Sequence, residues 1–184
     1  MVLNGVRRGA GRWPSTAEET EKRMTHSLRN NLNLVADPQN LDQSVDEVFN
    51  MMLGVACMPE AEVAVHEDET ITSVVGFGGL LSGACVFRSG GLGALTIAAR
   101  LTGMEFTEID DTVKDAIGEI CNMLAGAWKS KVPELSANCG LSIPAVITGR
   151  NYEIHVQAPE FRLHHAYRFE DALFDVTIIC DGLQ

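Results

Sequence analysis

The segment 110–129 separates its polar and apolar residues onto opposite faces of a helix. Each residue of an α-helix advances by about 100°, which places Asp115, Glu119 and Asn122 in one narrow sector. The apolar residues fall on the other side of the helix: Val113, Ile117, Ile120, Leu124, Ala127 and Trp128. The spacing therefore predicts a long amphipathic helix with one core face and one face that exposes two carboxylates and an amide.

Two glycines flank this polar face, at Gly118 and Gly126. A glycine inside a helix costs about 1 kcal/mol relative to alanine, so its presence there suggests a use. Small residues beside exposed polar groups indicate a surface that another molecule approaches closely. We therefore expect Asp115, Gly118 and Gly126 to take part in binding a partner. Polar residues with this spacing also occur on ordinary solvated helices, so the spacing alone does not establish a site.

An upstream segment, 43–50, repeats the pattern without a gap. Glu47 and Asn50 occupy in this copy the positions that Glu119 and Asn122 occupy in the later one. The repeat indicates an internal duplication of a helix-plus-strands unit. It predicts an α+β fold in which two pseudo-symmetric units form an antiparallel-rich sheet packed against two long helices.

The first copy differs from the second at two positions on its polar face. Gln43 replaces the leading carboxylate, and Asp46 stands where the later copy has Gly118. The first helix is therefore expected to be a vestigial or minor second site. A Pro-Glu pair follows each helix, at 59–60 and at 133–134, and we expect these pairs to be equivalent.

The length and composition of the chain predict one domain at 39–184, preceded by a partly disordered leader at 1–38. Charged and glycine-containing sequence characterises the leader, and Pro38 marks the boundary. Within the domain we expect a first helix at 41–56 and a shorter one at 95–102. Extended segments are expected at 61–66, 73–77, 84–87, 142–148, 152–157, 161–169 and 174–180.

Charge and hydropathy restrict the partners. The chain of 184 residues has a net charge of −11, and residues 39–184 hold eight basic and twenty-one acidic side chains. This excess argues against nucleic acid or an anionic membrane as a partner. No apolar run approaches the roughly 20 residues of a membrane span, and the N-terminus lacks the apolar core of a signal peptide. We expect a cytoplasmic protein.

Other chemistries find little support in the sequence. The five cysteines include no C-x-x-C pair, so we expect reduced thiols and no zinc site. The glycines at 76–79 lack the Gly-Lys-Ser/Thr of a phosphate loop, so they are interpreted as turns. A cation site could be formed by Asp111, Asp115 and Glu119. However, neutral Asn122 and positively charged Lys129 on the same face reduce its negative charge. We therefore expect no metal bound by this chain.

The motif Asp115-x3-Glu119-x2-Asn122 stands in a longer segment, 108–126, that resembles the CheC/CheX/FliY family of chemotaxis phosphatases and its CheX-type members in particular. The segments VVGFGGLLSG at 74–83 and LSIPAVITG at 141–149 are similar to strands of that family. The resemblance extends from about residue 40 to about residue 181. It implies a protein phosphatase, hence a hydrolase, that dephosphorylates the phospho-aspartate of a CheY-type response regulator in two-component signalling.

The same resemblance assigns roles to the motif. Asn122 would position the attacking water, and Glu119 would pair with a lysine of the phosphorylated regulator. Mg²⁺ would be supplied by the regulator, and the chain would need no cofactor of its own. CheX-like proteins also form homodimers through exchanged strands, so a homodimer is expected. Two alternatives remain: a non-catalytic adaptor that docks a response regulator or a flagellar-switch component, and a structural homo-oligomer without a regulator partner.

Overall fold

The computed structural model describes residues 17, 19, 22, 35–61, 69–150, 152, 154–155 and 159–183. Most of the predicted leader and most of the strand predicted at 61–66 lie outside these residues. The boundary between leader and domain at residue 38 stays a prediction. The side chain of Val35 is fully buried in the core, so core packing begins shortly before that boundary.

Between residues 38 and 183, the described part of the chain contains four helices and seven strands. The helices are α1 (Pro38–Leu53), α2 (Gly91–Thr102), α3 (Asp111–Ser130) and α4 (Pro133–Asn138). The strands are β1 (Met58–Glu60), β2 (Thr70–Gly79), β3 (Leu81–Gly90), β4 (Cys139–Leu141), β5 (Ala145–Gly149), β6 (Phe161–Phe169) and β7 (Ala172–Leu183). The two long helices that the amphipathic pattern predicts are α1 and α3.

Local side-chain chemistry sets the ends of the two long helices. The Asp37 carboxylate accepts a hydrogen bond from the Gln39 N–H at 3.0 Å, and the Asp110 carboxylate accepts one from the Val113 N–H at 2.9 Å. Such caps satisfy amide groups that have no partner inside the helix. Gly54 ends α1 in the left-handed conformation, with φ of 67°, which glycine adopts without a steric penalty.

The strands form one antiparallel sheet in the order β1-β6-β7-β3-β2-β4, with β5 also paired to β2. Each half of the chain contributes a long helix, short edge strands and a long hairpin. The two hairpins, β2–β3 and β6–β7, meet at the centre of the sheet through β3 and β7. Each short edge strand pairs with the hairpin of the other half. Strand β1 pairs with β6, and both β4 and β5 pair with β2. This order confirms the predicted pseudo-symmetric α+β fold.

The apolar faces of both long helices form the core between helices and sheet. On α3, Val113, Ile117, Ile120 and Trp128 are fully buried, as the pattern predicts. On α1, Phe49 is fully buried and stacks on Phe174 of the sheet, with ring centroids 4.6 Å apart. The polar face of α3 consequently points away from the sheet.

Three details of the sequence interpretation differ from the structure. Pro59 and Glu60 lie in β1, whereas Pro133 and Glu134 begin helix α4, so the two Pro-Glu pairs are not equivalent. Helix α4 has no counterpart among the elements that the sequence pattern predicts. The described residues within the predicted strand 152–157 lie outside any strand.

Candidate functional site

The exposed face of α3 brings the predicted site residues together. Asp115 and Glu119 are exposed, and Asn122 is half-buried. Residues three or four positions apart on a helix have Cβ atoms about 5–6 Å apart, so the Glu119 carboxylate and the Asn122 amide form a single small polar surface. The two groups can engage the same ligand.

Neither of these two side chains is committed to a partner within the described part of the chain. No hydrogen bond or ion pair joins the Glu119 carboxylate or the Asn122 side-chain amide to another described residue. The carboxylate can accept hydrogen bonds from a donor on a partner protein, and the amide can both donate and accept. We call Glu119, Asn122 and Asp115 the α3 polar face.

Gly118 lies behind this face rather than on it. It is buried, and a Cβ added to it would lie 3.3 Å from Cβ of Pro144 and 3.6 Å from Cγ2 of Val146. The close approach that this glycine permits is therefore that of the chain's own edge strand. The expected part of Gly118 in partner binding stays a prediction, and in the chain itself its small size lets Pro144 pack against α3.

Gly126 is in a different environment. It is half-exposed, and an added Cβ would meet only Cδ1 of Leu141, at 4.0 Å. The chain's own packing does not require a glycine here. Its expected part in partner binding stays a prediction.

The corresponding face of α1 carries the same residue types in a different state. Glu47 Oε2 accepts a hydrogen bond from Lys131 Nζ at 2.5 Å. The Asn50 Nδ2 group donates to Asp46 Oδ1 at 2.6 Å. Both polar groups of the duplicate are thus held by the chain itself. The pairing with Lys131 could not be predicted from local sequence, because the two residues lie 84 positions apart.

A second polar cluster, Asp42, His165 and Tyr167, lies beside α1. Asp42 Oδ1 accepts from the Tyr167 hydroxyl at 2.8 Å and lies 2.8 Å from His165 Nδ1. Burial and the neighbouring Asp42 carboxylate raise the pKa of Tyr167 above its ordinary value, so the phenol stays neutral. This cluster joins α1 to β6, and sequence reasoning missed it.

The sheet face opposite the helices buries a carboxyl group. Asp175 is 5% exposed, and burial raises its pKa to about 6 although Arg88 and Arg162 oppose the shift. The Arg88 guanidinium lies 5.5 Å from the centre of the Tyr152 ring. These groups line a cavity of about 190 Å³, which lies on the far side of the sheet from α3.

All five cysteines are free thiols, as the spacing predicts. Burial raises the pKa of Cys57 to about 12 and that of Cys180 to about 11, so these thiols remain protonated at neutral pH.

Among the described residues, no group of three or more His, Cys, Asp or Glu side chains is arranged to hold a metal ion. None of the described helices is long and apolar enough to cross a membrane.

Comparison with known proteins gives a consistent result. A family model described as chemotaxis phosphatase CheX matches residues 71–165, which is just over half of the chain. The matched range includes α3 and excludes α1. The protein named CheY-P phosphatase CheX from Thermotoga maritima is 28% identical over 115 residues, which span 60% of this chain and 74% of that protein.

Two solved structures share the fold. Chemotaxis protein CheX from Vibrio vulnificus superposes with a TM-score of 0.68 at 19% identity, covering 79% of this chain and 97% of that one. The CheX–CheY complex with BeF3 and Mg²⁺ from Borrelia burgdorferi gives a TM-score of 0.62 at 19% identity, covering 78% of this chain and 97% of that one.

Proposed function

The chain belongs to the CheX family of chemotaxis phosphatases, and on this premise we propose that it hydrolyses the phospho-aspartate of a CheY-type response regulator at the α3 polar face. One observation carries the proposal. Glu119 and Asn122 lie side by side on an exposed helix face with no partner among the described residues, whereas their duplicates on α1 are held by internal contacts.

Asn122 is the group proposed to act on the reaction. A phospho-aspartate is an acyl phosphate, which is hydrolysed when water attacks phosphorus in line with the departing carboxylate. The amide C=O can accept a hydrogen bond from that water, and the NH₂ can donate one. Because an amide carries no charge, it does not repel the anionic phosphoryl group. Positioning of this kind can lower a barrier by a few kcal/mol without a general base.

Glu119 is proposed to hold the regulator in place. Its exposed carboxylate would pair with the lysine beside the regulator's phospho-aspartate in a charge-assisted hydrogen bond. Loss of water at the interface strengthens such a contact and makes it selective. Asp115, one turn earlier on the same face, would support this contact surface rather than the chemistry.

The metal is assigned to the regulator. We propose that Mg²⁺ remains bound among the regulator's own carboxylates, where it neutralises charge on the phosphoryl group. This chain would then contribute an amide and a carboxylate to a site that the regulator otherwise completes.

The relatives support the same assignment. The Thermotoga maritima relative is named as a CheY-P phosphatase, and the Borrelia burgdorferi structure contains CheX bound to CheY. The family model covers α3 and not α1, which favours α3 as the working helix. We further propose that the protein acts in the cytoplasm as a homodimer, a state that sedimentation analysis would test directly.

A phosphate-release assay tests the function. CheY-type regulators from the same genome would be phosphorylated with a small-molecule donor and Mg²⁺, and their dephosphorylation followed with and without this protein. Acceleration of at least one regulator is expected. Binding to a regulator without any acceleration would instead support the non-catalytic adaptor.

A further inference from the structure

The edge strand beside α3 contains a β-bulge. Leu141 of β4 pairs with Phe77, and Ala145 of β5 pairs with Val74. Three residues, 142–144, therefore face only two residues of β2, at 75 and 76. A bulge of this kind changes the direction in which side chains project, and bulges are frequent beside active sites.

Both ends of the bulge are fixed. The Ser142 N–H donates to the Gly76 carbonyl oxygen at 2.9 Å, and the Gly76 N–H donates to Ser142 Oγ at 2.9 Å. At the other end, Pro144 packs against buried Gly118, where an added Cβ would come within 3.3 Å of the proline. The segment between these contacts has little freedom to move.

Between the two fixed ends lies Ile143, whose exposure is unusual. Ile143 is 87% exposed, the highest value among the large apolar side chains of the described residues. Its neighbour Pro144 packs against Gly118, the residue before Glu119, so Ile143 lies in the segment of the edge strand next to α3. A β-branched side chain has few rotamers, and it therefore loses little entropy when a partner covers it.

We propose that Ile143 is the apolar anchor that docks the receiver domain of the response regulator onto this protein. The inference rests on the proposed function and extends it to partner recognition. A regulator that presents its phospho-aspartate to Asn122 must lay the surrounding surface against α3 and the adjoining bulge. A few side chains that the partner fully desolvates carry most of the binding energy of an interface, and an exposed, conformationally restricted isoleucine can fill such a place.

The chain offers a matched control on the opposite edge of the sheet. Met58 is 69% exposed and precedes Pro59, which lines a cavity together with Asp46. Asp46 of α1 is the duplicate of Gly118, so Pro59 lies beside the helix that duplicates α3. Met58 is thus an exposed apolar side chain next to Pro59, on the side of the sheet's edge that adjoins α1 and not α3.

Steady-state dephosphorylation of a phosphorylated CheY-type regulator tests the anchor. Ile143→Ser is expected to raise KM at least about tenfold while kcat stays within about twofold, because the change removes binding and not chemistry. Ile143→Leu should restore a KM near the wild-type value, and Met58→Ser should leave both constants unchanged. Binding of the BeF3-activated regulator should weaken by the same factor as KM rises.

The outcomes separate this inference from the proposed function. Wild-type protein that accelerates dephosphorylation, together with an unchanged KM for Ile143→Ser, would overturn the anchor alone. Loss of a dimer in Ile143→Ser would also overturn it, by assigning the side chain to a second copy of this chain. Wild-type protein that accelerates no regulator would overturn the proposed function and the anchor with it.

Discussion

Lys131 Nζ lies 2.5 Å from Glu47 Oε2, so the carboxylate that duplicates Glu119 already has a lysine partner within its own chain. In the proposed complex Glu119 acquires such a partner only when the regulator binds. Asn50 is likewise engaged, because its amide donates to Asp46. On α1 the carboxylate and the amide are therefore engaged by contacts within the chain, whereas the equivalent groups on α3 are available to a partner.

This difference predicts unequal effects of matched double substitutions. Glu47→Ala/Asn50→Ala should leave most of the turnover in place, because the α1 groups are engaged internally and Asp46 adds a like charge against an anionic phosphoryl group. Glu119→Ala/Asn122→Ala should remove the accelerated dephosphorylation. Phosphate release under identical conditions measures both. Equal losses from the two variants would show that both helices act on the regulator.

The two glycines of α3 should respond differently to alanine. At Gly126 there is room for a methyl group, so Gly126→Ala should stabilise the fold by up to about 1 kcal/mol through helix propensity. At Gly118 the new Cβ would lie 3.3 Å from Pro144, whose ring cannot rotate away. Gly118→Ala should therefore be the less stable variant of the two, and overpacking should offset its propensity gain.

Urea unfolding of the two glycine variants beside the wild type measures this difference. A Gly118→Ala protein at least as stable as Gly126→Ala would contradict the close packing of Pro144 on α3. The same measurement tests whether the bulge that carries Ile143 is held in place, because the packing of Pro144 on Gly118 fixes one end of the bulge.

Asp175 should give the fold an unusual pH dependence. Burial raises its pKa from 3.8 to about 6, so the folded state holds this proton to higher pH than the unfolded state does. Stability from this group is therefore fully present below pH 3.8 and is lost as pH rises to about 6 and beyond. The shift corresponds to on the order of 2–3 kcal/mol.

Asp175→Asn should remove that contribution, because an amide does not titrate. The difference in unfolding free energy between variant and wild type should then shift in favour of the variant as pH rises from 4 to 7. Chemical denaturation at several pH values provides the comparison. A difference that stays constant across this range would show that the carboxyl group ionises normally in the folded protein.

Much of the fold could be predicted because amphipathic helices leave a clear local pattern. The apolar stripe from Val113 to Trp128 fixed the position and the buried face of α3. The gapless repeat at 43–50 indicated the pseudo-symmetry. Short elements such as α4 were missed, because six residues are too few for a periodic pattern.

The environment of the site residues could not be predicted, since it depends on contacts distant in sequence. The helical angle of Gly118 suggested a place beside the polar face, but Pro144 of the edge strand covers it. Glu47 occupies the same position in its copy of the repeat as Glu119 does in the other, and only the fold brings Lys131 to it. The bulge that presents Ile143 likewise follows from strand register rather than from residue type.

The origin of the metal gives a further prediction. Dephosphorylation should cease when EDTA removes Mg²⁺ and return when Mg²⁺ is added, because the ion belongs to the regulator's acidic pocket. The isolated protein should bind Mg²⁺ weakly at most, which titration calorimetry would measure. A tight, stoichiometric Mg²⁺ site on the isolated protein would favour a cation site around Asp111, Asp115 and Glu119.

The most direct test of the account is the turnover of Asn122→Ala, measured together with its affinity for the BeF3-activated regulator. The amide is proposed to act on the water in the transition state, so the variant should lose accelerated dephosphorylation and keep nearly the wild-type affinity. Asn50→Ala, the same change at the duplicated position, should retain most of the activity. Wild-type turnover by Asn122→Ala would contradict the proposed mechanism.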